Sequence, residues 1–249
     1  MLAEERYTTI LDALEHKKTL SLGEVCALLG SSESTARRDI SYLAKKGLLT
    51  RVHGGAVANG GNFFPGERSN EEKSSLSVEE KELIAAYAAT LVEEGDFVFL
   101  DAGTTTEKMI DRLSCRNVTF VTNAFLHAKK LAQKGYRVFI TAGEIKASTE
   151  AIVGAECVNC LRNYNFSKCF LGANGISVSG GITTPDANEA SVKTAAASSS
   201  GKVYVLADST KFGKVTSVAF LQNGQATIIT DRAPDERYFS RFRIKEASL

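Results

Sequence analysis

Residues 31–57 read SSESTARRDISYLAKKGLLTRVHGGAV, and this stretch decides the fold of the first part of the chain. Over residues 32–46 its apolar side chains recur three and four positions apart, which predicts a helix with one buried face. Residues 48–53 then suit a strand, Gly54 and Gly55 a two-residue turn, and the next two residues a short return strand. The stretch therefore predicts a helix followed by a β-hairpin.

Two further helices are predicted upstream of this stretch. The first presents one apolar stripe, formed by Tyr7, Ile10, Leu11 and Leu14. Ser21 and Glu24 have the spacing of a capping box that opens the second helix, and Gly30 tolerates the left-handed conformation at its end. Three helices and a hairpin predict a winged helix-turn-helix domain over residues 1–57.

The exposed face of the third helix carries side chains expected to contact nucleic acid. Hydroxyl and guanidinium groups suit phosphate and base-edge contacts in a major groove. The whole chain has a net charge of only +1, so such contacts must be local. The candidate DNA-binding residues are Ser32, Ser34, Thr35, Arg37, Arg38, Tyr42, Lys45, Arg51, His53, Gly54 and Gly55. Two alternatives stay open: the basic face could be merely solvated, and Arg38 could pair with the adjacent Asp39.

Residues 58–76 differ in composition from the regions on either side. They are polar, contain glycines and include Pro65, which is typical of an interdomain linker. Phe63 and Phe64 are too apolar for a pure linker, and we expect their side chains to dock on a domain.

From residue 77 onward, short apolar runs alternate with helical segments. Ser77 and Glu80 have capping-box spacing and predict a helix that ends near Glu94. Six runs have strand character: residues 97–100, 118–122, 137–141, 169–171, 203–207 and 227–230. Runs that are apolar throughout and alternate with helices predict a parallel sheet covered on both faces, so residues 77–249 are expected to form an α/β domain.

The first of these runs leads into residues 101–106, DAGTTT, with a helix predicted from Glu107. A strand, a glycine turn, hydroxyl side chains and a helix N-terminus form an anion pocket, because unsatisfied N–H groups and the helix dipole favour negative charge. Threonines are also common at helix starts, so the motif by itself is a weak signal. It is neither a Walker motif nor a dinucleotide fingerprint.

Polar residues also follow three other predicted strands. Ligands in open α/β sheets bind outside the carboxyl ends of strands, so these groups are expected to converge on one site. In this interpretation the threonines hold a phosphate, Lys211 adds charge, and two asparagines with Glu189 bond sugar hydroxyls. Each residue could instead have only a local role: Asp208 could only cap its turn, and Asn123 could only satisfy loop backbone. The candidate effector-binding residues are Asp101, Gly103, Thr104, Thr105, Thr106, Asn123, Gly172, Asn174, Glu189, Asp208 and Lys211.

Composition excludes several classes of protein. Hydrophobic residues at 43% and charged residues at 24% are typical of a globular protein. No run approaches the roughly 18 apolar residues of a membrane span, and the acidic N-terminus is not that of a signal peptide. Five thinly spread cysteines favour reduced thiols in the cytoplasm, and Cys157 and Cys160 are more typical of buried small residues than of a metal or redox pair. We predict no cofactor, no metal site and no membrane association.

These motifs resemble those of the DeoR family of bacterial transcriptional regulators. The matching segments are residues 34–40 (STARRDI), 51–56 (RVHGGA), 101–106 (DAGTTT) and 208–213 (DSTKFG). The resemblance implies a repressor of a sugar-utilisation operon, with a sensor domain of the ribose-5-phosphate isomerase fold that binds a phosphorylated sugar. Residues 181–186 and 213–215 look most like fructose operon repressors, which implies fructose 1-phosphate as effector. Repressors that answer to tagatose 6-phosphate carry similar motifs.

A sugar-phosphate isomerase that carries a DNA-binding module is the rival hypothesis. Isomerases of this fold have an Asp-Gly-Ala-Asp motif where this chain has residues 171–174, LGAN. Leu171 cannot transfer a proton and Asn174 cannot act as a base, although Glu189 survives as a lone carboxylate. We therefore predict no catalytic residue.

A third hypothesis is a protein that only tethers to DNA, and it predicts no small-molecule effect on DNA binding. On the regulator hypothesis the partner is double-stranded operator DNA. One recognition helix contacts only a few base pairs, so a homo-oligomer, either a dimer or a tetramer, is expected.

Overall fold

Three helices and a three-stranded sheet form the first of two compact units, residues 1–63. The computed structural model describes residues 3–17, 19–46, 48–52, 54–58, 62–63, 69–222, 224–232 and 234–248. The elements of the first unit are α1 (Ala3–Lys17), β1 (Thr19–Ser21), α2 (Leu22–Leu29), α3 (Glu33–Lys45), β2 (Leu49–Val52), β3 (Gly55–Ala58) and β4 (Asn62–Phe63).

Local capping sets the helix ends in this unit. The Ser21 side chain accepts the N–H of Glu24, the Glu24 carboxylate accepts the N–H of Ser21, and α2 is followed by Gly30 in the left-handed region at φ 57°. The predicted capping box and stop are therefore confirmed. Ser32 caps α3 in the same way, by accepting the N–H of Thr35. The helices share one apolar core, which includes Ile10, Leu14, Val25, Ala36, Ile40 and Leu43.

The hairpin differs in detail from the prediction. Gly55 pairs with Val52 and belongs to β3, so it is not part of the turn. β3 also pairs antiparallel with β1, a strand that the sequence analysis missed. A Cβ atom at Gly55 would lie 2.1 Å from the carbonyl oxygen of Leu20. Glycine is therefore required where β1 and β3 approach each other.

The second unit, residues 64–249, is built on a seven-stranded sheet. Its helices are α4 (Asn70–Ser74), α5 (Val78–Ala89), α6 (Thr104–Arg112), α7 (Phe125–Gln133), α8 (Ala155–Arg162) and α9 (Ala187–Ser198), with 3-10 turns at Ser209–Lys211 and Glu236–Tyr238. Its strands are β5 (Phe97–Leu100), β6 (Thr119–Thr122), β7 (Arg137–Ile140), β8 (Glu144–Lys146), β9 (Ala151–Val153), β10 (Phe166–Gly172), β11 (Gly175–Ser177), β12 (Gly181–Thr184), β13 (Ser200–Leu206), β14 (Lys214–Val215), β15 (Val218–Leu221), β16 (Thr227–Thr230) and β17 (Arg243–Glu246).

The large sheet has the order β17-β16-β13-β10-β5-β6-β7, and every neighbouring pair is parallel. All six runs predicted as strands lie in it, which confirms the α/β architecture. Helices α8 and α9 cover one face, where Phe99 and Val121 are buried. Helices α5 and α6 cover the other face, where Val98 and Leu100 are buried. The carboxyl ends of the strands therefore meet at one edge of a sheet buried on both faces.

Three local predictions in this unit are wrong. Ser77 adopts the left-handed conformation at φ 49° and makes no side-chain capping bond, so the second capping box does not form. Helix α5 ends at Ala89 rather than near Glu94. Helix α6 begins at Thr104 rather than at Glu107, so the three threonines form its first turn.

Part of the segment predicted as a linker is helical, because residues 70–74 form α4. The predicted docking of the Phe63 and Phe64 side chains lies outside the described residues. In the described ranges, no helix is both long and apolar enough to cross a membrane.

Candidate functional site

The exposed face of α3 and the hairpin present most of the predicted DNA-binding residues to solvent. The exposed ones are Ser32, Ser34, Arg37, Arg38, Tyr42, Lys45, Arg51 and Gly54, and Thr35 is half-buried. Arg37 pairs with Glu33 at 3.2 Å, and Arg38 donates to Oγ of Ser34 at 3.3 Å. Exposed contacts of this kind contribute little to stability, so both guanidinium groups can exchange them for DNA at small cost.

Some predicted contacts have structural roles instead. Gly55 is buried in β3 against Leu20 of β1, which gives it a structural role in place of the predicted contact, and His53 lies outside the described residues. Arg51 donates to Oγ of Ser41 at 2.9 Å and so joins the hairpin to α3. The Tyr42 ring stacks on a tyrosine of α1 at a centroid distance of 4.7 Å.

The acid that follows Arg38 is paired elsewhere. Asp39 is buried, and its two carboxylate oxygens accept hydrogen bonds from Arg6 on α1 at 2.7 and 3.1 Å. The alternative in which Arg38 pairs with Asp39 is therefore wrong. Arg38 stays at the surface of α3.

A cavity of about 200 Å³ lies at the carboxyl ends of β5, β10 and β13 in the second unit. The predicted effector-binding residues that line it are Gly103, Thr104, Thr105, Thr106, Gly172, Asn174, Glu189, Asp208 and Lys211. Residues that the sequence analysis missed also line it, among them Asn70, Lys73, Lys81, Thr149, Lys193 and Lys214. The strand ends thus bring most of the predicted residues together around one polar cavity.

The first turn of α6 forms one wall of this cavity. The Thr106 hydroxyl lies 2.7 Å from the carbonyl oxygen of Asp101 and 2.8 Å from that of Gly103, so it stabilises the turn. The hydroxyls of Thr104 and Thr105 make no hydrogen bond to any described residue, and both side chains line the cavity. The first N–H groups of a helix lack intrahelical partners, and the dipole favours an anion beside them.

Asp101 lies behind the cavity wall rather than in it. Its Oδ2 atom accepts the N–H of Gly172 at 2.9 Å and pairs with the Lys193 ammonium of α9. Burial raises the pKa of Asp101, although Lys193 opposes the rise. Asp101 therefore organises the strand ends, which corrects its assignment as a ligand contact.

The two predicted asparagines differ in position. The Asn123 oxygen accepts the N–H of Ala102 at 3.0 Å, and its amide group donates to the carbonyl of Ile152 at 3.2 Å. Asn123 is 1% exposed and does not line the cavity, so the predicted contact with a sugar is not supported. Asn174 does line the cavity, where its oxygen accepts a hydrogen bond from Thr184 at 3.2 Å.

The charged residues that were predicted to meet the ligand form ion pairs and hydrogen bonds with other side chains of the protein. Lys211 Nζ lies 2.7 Å from Oδ2 of Asp208. Burial opposes ionisation of Asp208, but Lys211 holds the pKa of this carboxyl below its ordinary value. Glu189 accepts a hydrogen bond from the Thr149 hydroxyl at 2.6 Å and lies 3.3 Å from Lys146 Nζ. Lys211 therefore offers a ligand less net charge than the sequence suggests.

The environment of Lys81 on α5 differs from that of Lys193 and Lys211, each of which pairs with an aspartate. It is 4% exposed, and its ammonium donates to the carbonyl of Lys73. In the described part of the chain, no carboxylate oxygen lies within 4 Å of its Nζ atom. Burial, aided by Lys211, lowers the pKa of Lys81 to about 8. At neutral pH Lys81 is therefore a buried cation that no described carboxylate contacts directly, although the charge of Asp208 acts on it from a distance.

One sequence signal could have revealed Lys81. It stands at helical spacing with Ile84, Ala85 and Ala88, which are buried on the inner face of α5. A lysine in an apolar stripe is buried with it, and a buried charge is expensive unless something pairs with it.

A winged helix, together with an α/β unit that holds a polar cavity at its strand ends, defines a DNA-binding regulator with a ligand-sensing domain. Residues 6–61 match the DeoR-like helix-turn-helix domain, and residues 76–232 match the DeoR C terminal sensor domain. The chain belongs to the DeoR family of transcriptional regulators.

Relatives in this family match over nearly the full chain. An HTH-type transcriptional regulator called FruR, uncharacterised, from Bacillus subtilis is 41% identical over 98% of this chain and 97% of its own. The lactose phosphotransferase system repressor of Streptococcus mutans is 36% identical over 95% of each chain. Ribose 5-phosphate isomerase A of Neisseria gonorrhoeae aligns with 57% of this chain and 55% of its own at 17% identity and a TM-score of 0.39. This last similarity is too low to indicate a ligand or an activity.

Proposed function

We propose that this protein represses a sugar-utilisation operon in the cytoplasm and that a phosphorylated sugar in the cavity changes its affinity for the operator. The observation that carries the proposal is the convergence of the α6 N-terminus and the buried Lys81 ammonium on one cavity. Helix N–H groups and a buried ammonium that contacts no carboxylate among the described residues favour a phosphate, and Asn174 with Glu189 supplies bonds for hydroxyls.

Fructose 1-phosphate is the proposed effector. The motifs at residues 181–186 and 213–215 and the relative named FruR favour it. Tagatose 6-phosphate is a second candidate, because repressors that answer to it carry similar motifs.

On the DNA side, α3 is proposed to enter the major groove with Arg37 and Arg38 against phosphates or guanine edges. The proposed division is a DNA-binding domain over residues 1–57, a connecting segment over 58–76 and a sensor domain over 77–249. Two or four copies are proposed to bind half-sites spaced by whole helical turns.

Binding is favoured over sugar-phosphate isomerisation by the state of the carboxylates. Leu171 is fully buried in β10, and Asn174, which lines the cavity, has an amide that cannot act as a base. Glu189 is held by Thr149, Thr184 and Lys146, so it is poorly placed to move between substrate atoms. Turnover of pentose or hexose phosphates by the purified protein would promote the isomerase hypothesis.

A dye-based thermal-shift panel of sugar phosphates against the matching free sugars tests the proposal. A ligand at 100 times its dissociation constant stabilises by about 2.7 kcal/mol, roughly 5–10 °C for a chain of this size. A shift with fructose 1-phosphate and none with fructose is expected. A shift with another sugar phosphate alone would keep the mechanism and discard fructose, and no shift across the panel would contradict the proposal.

A further inference from the structure

The two edges of the large sheet differ in chemical character. At one edge β17 exposes three charged side chains. At the other edge β7 exposes the apolar side chains of Phe139 and Ile140 and carries one charge, Arg137, at its start. No described strand pairs with the outer side of β7. Proteins protect open sheet edges with charged side chains, so β7 is the edge that remains open to pairing with another strand.

Other exposed apolar side chains adjoin this edge. Ile140 pairs with Thr122 of β6, and Phe125 begins α7 three residues further on. The hairpin of β8 and β9 is joined to the same corner by the bridge between Ala124 and Ala151. The exposed apolar residues of this corner form one surface, here called the β7 edge patch: Phe125, Leu126, Phe139, Ile140 and Ile145.

The β7 edge patch has the size of the apolar part of a dimer interface. Phe125 is 62% exposed and Ile145 is 60% exposed. With about 200 Å² of surface for a fully exposed large side chain, the five members together expose roughly 500 Å². A subunit buries about 800 Å² in a stable interface, and about 65% of a homodimer interface is apolar, which is also roughly 500 Å². The patch therefore supplies the apolar area that a stable dimer needs.

The backbone of β7 is suited to pairing with a second copy of itself. The N–H of Thr141 donates to the carbonyl of Thr122 on β6 at 3.1 Å. Because alternate residues of a strand direct their backbone groups to opposite sides, those of Val138 and Ile140 point away from β6. In an antiparallel pair, Val138 of each copy can exchange both backbone hydrogen bonds with Ile140 of the other.

We propose that two copies of this chain associate through the β7 edge patch, with their β7 strands antiparallel about a two-fold axis at Phe139. This register places Arg137 of each copy opposite Thr141 of the other, close to the exposed Glu144, so opposite charges meet at both ends of the pair. The inference rests on the proposed function only for the expectation of two or four copies. It names the surface that joins them and is independent of the effector.

The test compares Phe125→Glu with Phe239→Glu in the full-length protein. Phe125 is the first residue of α7, where an acid is favourable to the helix, so this variant is expected to fold. Phe239 is 49% exposed and lies outside the patch, between β16 and β17 at the other edge of the sheet. Phe139→Glu serves as a second variant, because it brings two like charges together at the two-fold axis.

Light scattering over a concentration series measures the mass. The wild type and Phe239→Glu are expected to share one oligomeric mass, and Phe125→Glu and Phe139→Glu to have about half of it. Both substitutions occur twice in a two-fold interface, so the dissociation constant of the dimer should rise by about 100-fold or more.

Hydrogen exchange at β7 is the second readout. The outward amides of Val138 and Ile140 should exchange at least about tenfold faster in Phe125→Glu than in the wild type, and the inward amide of Thr141 should not. A monomeric wild type, wild-type mass for both patch variants, or unchanged exchange at Val138 and Ile140 would overturn the inference. If the wild type associates through this patch but binds no sugar phosphate, the inference stands and the proposed effector fails.

Discussion

Arg6 on α1 and Asp39 on α3 form a bidentate ion pair, with Nε 2.7 Å from Oδ2 and Nη2 3.1 Å from Oδ1. The Asp39 side chain is 4% exposed and that of Arg6 is 19% exposed. The pair therefore fixes α3 to α1 within the first unit, and the neighbouring Arg38 stays at the surface.

Asp39→Ala should destabilise the first unit, because it removes the buried carboxylate that holds the Arg6 guanidinium of α1 against α3. We expect a loss of about 2–4 kcal/mol, somewhat less than for a fully buried pair. Hydrogen exchange of the slowest α3 amides in the full-length protein measures it, and they should exchange about 30- to 1000-fold faster. Arg37→Ala, which breaks only an exposed pair, should change the same rates by less than about threefold. Equal effects of the two variants would contradict this account.

Arg37→Ala should instead weaken operator binding. A contact to a base edge is worth about 1–3 kcal/mol, or roughly 5- to 150-fold in affinity. Fluorescence anisotropy with a labelled operator duplex measures this change. The control is Arg116→Ala, which removes an exposed guanidinium from the second unit. Unchanged operator affinity for Arg37→Ala would remove Arg37 from the interface.

His127 should make the second unit acid-sensitive. Its Nε2 atom lies 3.2 Å from the carbonyl oxygen of Gly103, and burial lowers its pKa to about 4. The unfolded chain, with an ordinary pKa near 6.5, binds the proton first, so this contribution is present above pH 6.5 and is lost as pH falls toward 4. The loss should reach about 2–3 kcal/mol. Urea unfolding at several pH values should show it in the wild type and not in His127→Gln, and identical pH profiles would contradict it.

Lys81 should give the opposite pH dependence at alkaline pH, where the stability of the second unit should rise. Its pKa of about 8 reflects burial first and then the nearby Lys211, Lys108 and Lys73, with Asp208 opposing them. Between pH 8 and 10.5 the unfolded chain binds more protons, so the cost of burying this charge is full below pH 8 and fades above it. Lys81→Met should therefore stabilise the ligand-free protein at pH 7 by roughly 1–2 kcal/mol.

The thermal shift that a sugar phosphate causes in the wild type should also depend on the protonation of Lys81. The thermal shift with a sugar phosphate should shrink as pH rises above 8, because the cation is lost. Lys129 is exposed on α7 and does not line the cavity, so a Lys129→Met control should follow the wild type in this titration. A ligand shift that stays constant to pH 10 would show that Lys81 does not meet the phosphate.

The strands of the large sheet were predictable because parallel strands buried on both faces are apolar throughout. β17 was not, because three of the four residues in its sequence RIKE are charged and exposed at the edge of the sheet. β1 has only three residues, and its pairing with β3 depends on a close approach that only Gly55 permits.

The part of the cavity that is formed by residues at the strand ends was predictable from the sequence. Lys81 and Asn70 come from helices that reach the cavity only through the tertiary fold, so no binding motif marks them, although the helical spacing of Lys81 with Ile84 and Ala85 marks it as buried. Asn123 shows the converse, because a strand-end amide looks the same in sequence whether it meets a ligand or, as here, the backbone of Ala102 and Ile152.

The central claim is that a sugar phosphate changes operator affinity. Its most direct test selects an operator duplex from a random DNA pool with the full-length protein and then measures its dissociation constant by anisotropy at fixed salt. The titration is repeated with saturating fructose 1-phosphate and with fructose. A change of about 5- to 150-fold with the phosphate and none with the free sugar is predicted, as expected for coupled sites. An unchanged dissociation constant in the presence of a sugar phosphate that demonstrably binds would contradict the account.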